Sequence, residues 1–146
     1  MNFKIVVTAC LLFFTCTTLY AQVSFVSGEK GTITVRASGN GKSINEAVAN
    51  AEKDVFYMLL FRGVAGSEQS SALITMREDE AQQRYKAYLD PLLSERYPSF
   101  IISAVQDGEP VKGKHHQVSV LLDITVNVTA LRKDMEANQV IRKFGF

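Results

Sequence analysis

The chain predicts an α+β fold, a two-layer sandwich in which an antiparallel sheet of three or four strands carries two or three helices on one face. Three observations predict it. Residues 43–63 place an apolar stripe at helical spacing between a capping box and a glycine. Residues 116–128 alternate apolar and polar side chains without a break, the pattern of a strand with one face on a core and the other open. The elements follow in the order strand, helix, helix, strand, strand, helix, which suits helices stacked on an antiparallel sheet.

The first residues belong to a different kind of segment. Met1 to Lys4 is a short basic start, Ile5 to Phe14 is apolar and uncharged, and Thr15 to Ala21 is small and polar. That layout predicts a secretory signal peptide over residues 1–21, cleaved after Ala21. Its apolar run is shorter than the roughly 20 residues that span a bilayer. Val7-Thr8-Ala9-Cys10 also fits a bacterial lipobox, which would make Cys10 the lipidated first residue and would be the one route to a membrane. Too little apolar chain precedes Cys10 and too much follows it. Cys16 follows Phe13-Phe14-Thr15, a poor lipobox.

Residues 22–146 are then expected to form a single exported α+β domain, periplasmic or associated with the outer envelope, with enough chain for one core. The chain has 16 Lys and Arg against 15 Asp and Glu, and losing Lys4 balances them. Nucleic acid and acidic membrane surfaces therefore exert no whole-chain pull. Both cysteines fall in the leader. The domain is left without disulfides, thiol catalysis or the usual structural zinc ligands, so an apolar core must hold it.

Gln22 to Lys30 reads as an irregular lead-in, with a turn at Gly28-Glu29-Lys30-Gly31. In Thr32 to Ser38, Ile33, Val35 and Ala37 alternate with Thr34 and Arg36, so this is a half-buried strand. Gly39-Asn40-Gly41 is expected to end it as a turn. Ser43 and Glu46 form the capping box of a helix running to about Arg62, with Gly63 at its stop. Ile44, Ala47, Val48, Ala51, Val55, Met58 and Leu59 are its buried stripe. The small early residues permit close approach of a neighbouring element.

Val64 to Thr75 is a Ser-rich loop. Thr75 and Glu78 suggest a second capping box, followed by a helix with Ala81, Tyr85, Tyr88, Leu89 and Leu92 inward. Pro91 is expected to kink or restart it, with Asp90 as the new cap. Ser99 to Val105 and His116 to Val128 are predicted as a hairpin. Val118, Val120, Leu122, Ile124, Val126 and Val128 lie on one face of its long strand; Ser119, Leu121, Asp123, Thr125 and Asn127 lie on the other. Thr129 then caps a final helix with Leu131, Met135 and Ile141 inward.

Gly41-Lys42-Ser43, between a strand and a helix, has the ending of a phosphate-binding loop. Arg36 stands where the first glycine of that motif belongs, however, and strand residues fill the loop. Val118 to Asp123 resembles the apolar strand and Asp of a nucleotide hydrolase, but its alternation is of the antiparallel kind. A tight turn followed by a helix cap explains these residues. A weaker version keeps Gly39, Asn40, Gly41, Lys42 and Ser43, with the Ser-rich loop, as an anion or small-ligand site.

His115 and His116 are adjacent on the predicted strand, so they point to opposite faces and chelate poorly. Asp79 with Glu80, and Glu46 with Glu52, sit on solvated helix faces, and no Gly-x-Ser-x-Gly elbow occurs. No catalytic residue, metal ligand or cofactor is predicted. The aromatic residues are core by spacing, except that Phe56 and Phe61 leave the main stripe and cover a second layer or form a contact patch. Asn127-Val128-Thr129 matches a glycosylation sequon at the strand-to-helix junction.

Ala37-Ser-Gly-Asn-Gly41, followed by Ser43, Glu46-Ala47 and Ala51, resembles small envelope domains of Gram-negative bacteria. These are the twenty-kilodalton outer-membrane lipoprotein family and the N-terminal domain of the flagellar collar protein T. Their order of strand, small-residue glycine turn, alanine-spaced helix and alternating hairpin covers the whole chain after the leader. Leu59-Leu-Phe-Arg-Gly63 looks like a feature of a narrower set of exported proteins. The resemblance implies a non-enzymatic module that packs against an envelope protein or against copies of itself, and it carries over no catalytic residue. The predicted contact surface is the open sheet face with Leu121, Asp123 and Thr125, the Ser-rich loop, or the terminal Phe144 and Phe146.

Overall fold

The centre of the sheet is a pair of ten-residue antiparallel strands, β2 (Thr32–Gly41) and β5 (Val118–Asn127). They pair along their whole length, from Thr32 opposite Asn127 to Gly41 opposite Val118. The computed structural model describes residues 23–143. The predicted signal peptide, Cys10, Cys16, Phe144 and Phe146 lie outside the described residues.

Alternation on both central strands sends one set of side chains inward. Ile33, Val35 and Ala37 from β2 and Val120, Leu122, Ile124 and Val126 from β5 are buried in the core. β1 (Ser24–Glu29) joins β2 through a two-residue turn at Lys30 and Gly31, where Gly31 takes φ +85°. The expected irregular lead-in is therefore an edge strand. Every residue of β1 is exposed and a bulge interrupts it between Phe25 and Ser27, so no clean period-two pattern announces it.

β3 (Ile101–Gln106) pairs with the other side of β5, and the two-residue β4 (Val111–Lys112) pairs further along the same strand. The sheet order is β1-β2-β5-β3. The hairpin is the predicted one with shorter arms. Ser99 and Phe100 belong to a 3₁₀ turn, and β5 starts at Val118.

α1 (Ile44–Phe61) packs across the buried faces of β2 and β5. Ser43 caps it as predicted, accepting from the Glu46 amide at 3.2 Å. The Glu46 carboxylate reaches one residue further back than expected, to the Lys42 amide at 2.8 Å. At the far end Gly63 takes φ +80° and its N–H donates to the Met58 carbonyl. Ala47, Ala51, Val55 and Leu59 are fully buried, but Ile44 is exposed and Val48 and Met58 are half-buried. The core-facing side is instead widened by Phe56 and Leu60. Phe56 forms the second layer: its ring lies 5.6 Å from Tyr97 and 6.5 Å from Phe100, centre to centre.

Gly39 and Gly41 do not form a turn. Both remain in the β2 ladder, opposite Val120 and Val118, and neither has a positive φ. Their requirement is space. A Cβ on Gly39 would lie 1.9 Å from the Ala47 carbonyl oxygen, and one on Gly41 would lie 2.7 Å from the Ala47 amide. Helix and strand touch there through backbone.

The second helical region begins without a side-chain cap, since Arg77 rather than Thr75 occupies the N-cap position. It divides into α2 (Glu78–Arg84) and α3 (Lys86–Pro91) at Tyr85, whose φ −113° and ψ 23° leave the helix. Pro91 does not restart it, and Asp90 forms no new cap. Pro91 ends α3, which runs on through a π turn (Leu92–Arg96) and the 3₁₀ turn Tyr97–Phe100 into β3. α4 (Val128–Ala137) is capped by Asn127, whose Oδ1 accepts from the Ala130 amide at 2.9 Å; Thr129 lies inside the helix. Leu131 and Met135 are buried as predicted, with Val140 beside them and Ile141 half-buried.

The Ser-rich loop is strapped to the end of α1 rather than free. Val64, Leu73 and Ile74 are buried, and the amides of Leu73 and Ile74 donate to the carbonyls of Leu59 and Leu60. No helix among the described residues is long and apolar enough to cross a membrane.

Candidate functional site

The broad open surface is the sheet face turned away from the helices. The register places Thr34, Arg36, Ser38 and Asn40 of β2 beside Thr125, Asp123, Leu121 and Ser119 of β5. Cross-strand pairs satisfy most of the polar groups. The Thr34 and Thr125 hydroxyls are 2.9 Å apart. Arg36 grips Asp123 with two parallel bonds, Nε to Oδ1 at 2.8 Å and Nη2 to Oδ2 at 2.9 Å, and also reaches Asp107 at 2.9 Å. The Arg36 hydrogen bond holds the Asp123 carboxyl below the usual carboxylate range, and the same contact raises the guanidinium.

Leu121, Asp123 and Thr125 do share the open face, as predicted, but their roles differ. Asp123 and Thr125 are engaged by β2, whereas Leu121 is 37% exposed. Two further aliphatic side chains join it from the edge. Val105 stands opposite Asp123 and Val111 opposite Ser119; they are 61% and 65% exposed. The sequence gives no sign of Val105 here. A register shift between Ile101 and Ser103 changes which residues of β3 face outward, and such a shift leaves no mark in the apolar pattern.

The residues predicted as an anion or small-ligand site separate into two places. Gly39, Asn40, Gly41, Lys42 and Ser43 gather at the start of α1, while the Ser-rich loop follows its end. Eighteen helical residues at about 1.5 Å each hold them roughly 27 Å apart. The loop faces the β1–β2 turn instead. Phe25, Gly31, Ser67, Gln69, Thr129 and Arg132 line a cleft of about 360 Å³ there. Gln69, buried at 8% exposure, sits at its polar end, accepting from Arg132 Nη2 at 2.7 Å and donating to the Ser71 carbonyl. Nothing in the local sequence marks Gln69, because its partners come from α4 and from its own turn.

Around Gly41-Lys42-Ser43 the groups of a phosphate loop are otherwise employed. Gly41 is in the sheet, the Ser43 hydroxyl holds the Glu46 amide, and Arg36 is committed to Asp123 and Asp107. Lys42 is exposed and opens on a different set of residues. A cleft of about 480 Å³ is lined by Lys42, Lys112, Gly113, His115, His116 and Gln117. The two histidines are not on a strand. They lie in a 3₁₀ turn (Lys114–His116) before β5, with φ of 60° and 59°. Among the described residues no group of three or more His, Cys, Asp or Glu is arranged to hold a metal ion.

No protein-family model, curated protein or solved structure matches the chain.

Proposed function

We propose that this is an exported, non-enzymatic protein of the bacterial periplasm or outer envelope, acting through contacts with an envelope protein or with copies of itself. The observation that supports this most directly is the open sheet face. It is a hydrogen-bonded platform of paired polar side chains, with Leu121, Val105 and Val111 left exposed at its β3–β4 side. Apolar side chains rimmed by satisfied polar pairs suit a protein partner, since burying them expels water while Arg36, Asp123 and Asp107 keep their bonds. The leader pattern of residues 1–21 and the resemblance around Ala37 to Ala51 support the compartment.

The test is site-specific photocrosslinking in intact cells, with the probe at Val105 or Leu121 and, as control, at Gln83 on exposed α2. Discrete adducts from the first two positions and none from the control are expected. Absence of any adduct, to another protein or to a second copy, refutes the reading. Leu121→Asp should remove the adducts formed from Val105 while leaving the melting midpoint nearly unchanged, because Leu121 is outside the core.

A further inference from the structure

We infer that the cleft between the start of α1 and the β4–β5 turn binds a phosphate group. The argument begins with sheet register. Val118 pairs with Gly41 on one side and with Lys112 on the other. Strands about 4.8 Å apart therefore bring Lys42, one residue beyond Gly41, into the neighbourhood of Lys112. His115 and His116, in the turn that leads into β5, complete the wall. The lysines are seventy positions apart in the chain, and no single stretch of sequence shows the cluster.

Two cations, Lys42 and Lys112, and two imidazoles, His115 and His116, come together in this cleft. Arg36, Arg62, Arg77, Lys86 and Arg96 are each paired with a carboxylate. Among the described residues, Lys42, Lys112, His115 and His116 have no ion pair or side-chain hydrogen bond, and no carboxylate lines their cleft. Glu46, the nearest acid in sequence to Lys42, accepts from the Lys42 backbone amide and does not line the cleft. Gathering unpaired cations is unfavourable through mutual repulsion, and a bound anion reverses the sign of that contribution.

A phosphate group matches this set. It is small enough for the cleft, and its oxygens accept from ammonium and imidazole donors arriving from different directions. The same chemistry is offered by free phosphate and by the headgroup of an anionic phospholipid. In the lipid case the cleft would meet a membrane surface without inserting into it.

The test uses isotope-labelled protein, processed as the cell processes it, titrated at pH 6.5 with sodium phosphate and with sodium chloride at matched ionic strength. A second arm measures co-sedimentation with phosphatidic acid vesicles against phosphatidylcholine vesicles. Saturable amide shifts confined to Lys42, Ser43 and residues 112–118, seen with phosphate only, assign free phosphate. Vesicle binding without those shifts assigns the headgroup. In either case removing each lysine should weaken binding about tenfold, so Lys42→Ala with Lys112→Ala should abolish it in practice. Both side chains are exposed, and the melting midpoint of the double variant without ligand should match the parent. The inference is overturned if neither arm shows binding, if chloride produces the same shifts, or if the double variant binds as the parent does.

Discussion

A methyl group placed on Gly39 would lie 1.9 Å from the carbonyl oxygen of Ala47, a separation no side-chain rotation relieves. The same methyl would lie 2.8 Å from the Ala51 Cβ. Strand β2 and helix α1 thus meet backbone to backbone, with Gly39 on one side and two alanines on the other. Gly39→Ala should cost about 3 kcal/mol, at the upper end of overpacking effects, because helix and strand must part along their contact. Gly108→Ala is the control. Gly108 has φ +82° but nothing within 4 Å of a built Cβ, so only the backbone conformation opposes the change, about 1 kcal/mol. Urea unfolding of the two variants measures the difference.

Ala51→Leu should destabilise the fold by about 1–3 kcal/mol, whereas Lys42→Ala should change it by less than about 0.5 kcal/mol. Ala51 is fully buried against β2, and Lys42 is a solvated side chain beside the helix cap. Ala47→Leu should behave like Ala51→Leu. Equal losses at Lys42 and Ala51 by denaturant titration would mean that α1 stands further from the sheet than its alanines imply.

Three tyrosines set an alkaline limit. Burial pushes the Tyr88 phenol far above its ordinary value, and the adjacent Asp134 carboxylate, which accepts its hydroxyl at 2.7 Å, adds to the shift. Burial also raises Tyr97 and Tyr57. A group whose pKa is raised on folding contributes stability fully present below its unfolded value, near 10 for tyrosine, and lost as pH rises beyond it. The melting midpoint should therefore fall above about pH 10. Tyr88→Phe should lower the midpoint at pH 8 by removing the bond to Asp134, yet flatten the fall above pH 10. A variant as steep as the parent would place the alkaline transition elsewhere.

The fold was most legible where one strand is sandwiched between partners and covered on one side only. β5 shows its alternation because β2 pairs with it without a break from Val118 to Asn127, while β3 and β4 cover parts of its other edge. β1 was illegible because an exposed, bulged edge strand has no buried face to impose a pattern. Gly39 and Gly41 misled for a physical reason: glycine answers equally to a turn and to a close packing contact, and only the alanines of α1 distinguish the two. The helix break at Tyr85 was hidden behind the more obvious Pro91. For the open face, parity identified Leu121 but not Val105. The basic cleft was invisible because it is assembled by the shared pairing of Val118.

The β1–β2 turn and α4 meet through another glycine, and their contact allows a sharper test of the packing. Gly31 has φ +85°, and a Cβ there would lie 2.3 Å from the Thr129 Oγ1 but 3.3 Å from its Cβ. The Thr129 amide also donates to the Gly31 carbonyl at 3.0 Å, so the hairpin is tied to the first turn of α4 by backbone. Gly31→Ala should be penalised twice, once for the backbone conformation and once for the hydroxyl collision. Thr129→Ala alone should cost little, since Thr129 is exposed and its hydroxyl does not cap the helix. In the double variant the hydroxyl is gone, and the remaining 3.3 Å contact needs a shift of only a few tenths of an ångström. Its loss should therefore be smaller than the sum of the single losses by about 1 kcal/mol, a coupling that a double-mutant cycle in urea resolves. Strict additivity would indicate that the hairpin swings away from α4 to accommodate the methyl group, opening the cleft that Gly31 shares with Arg132.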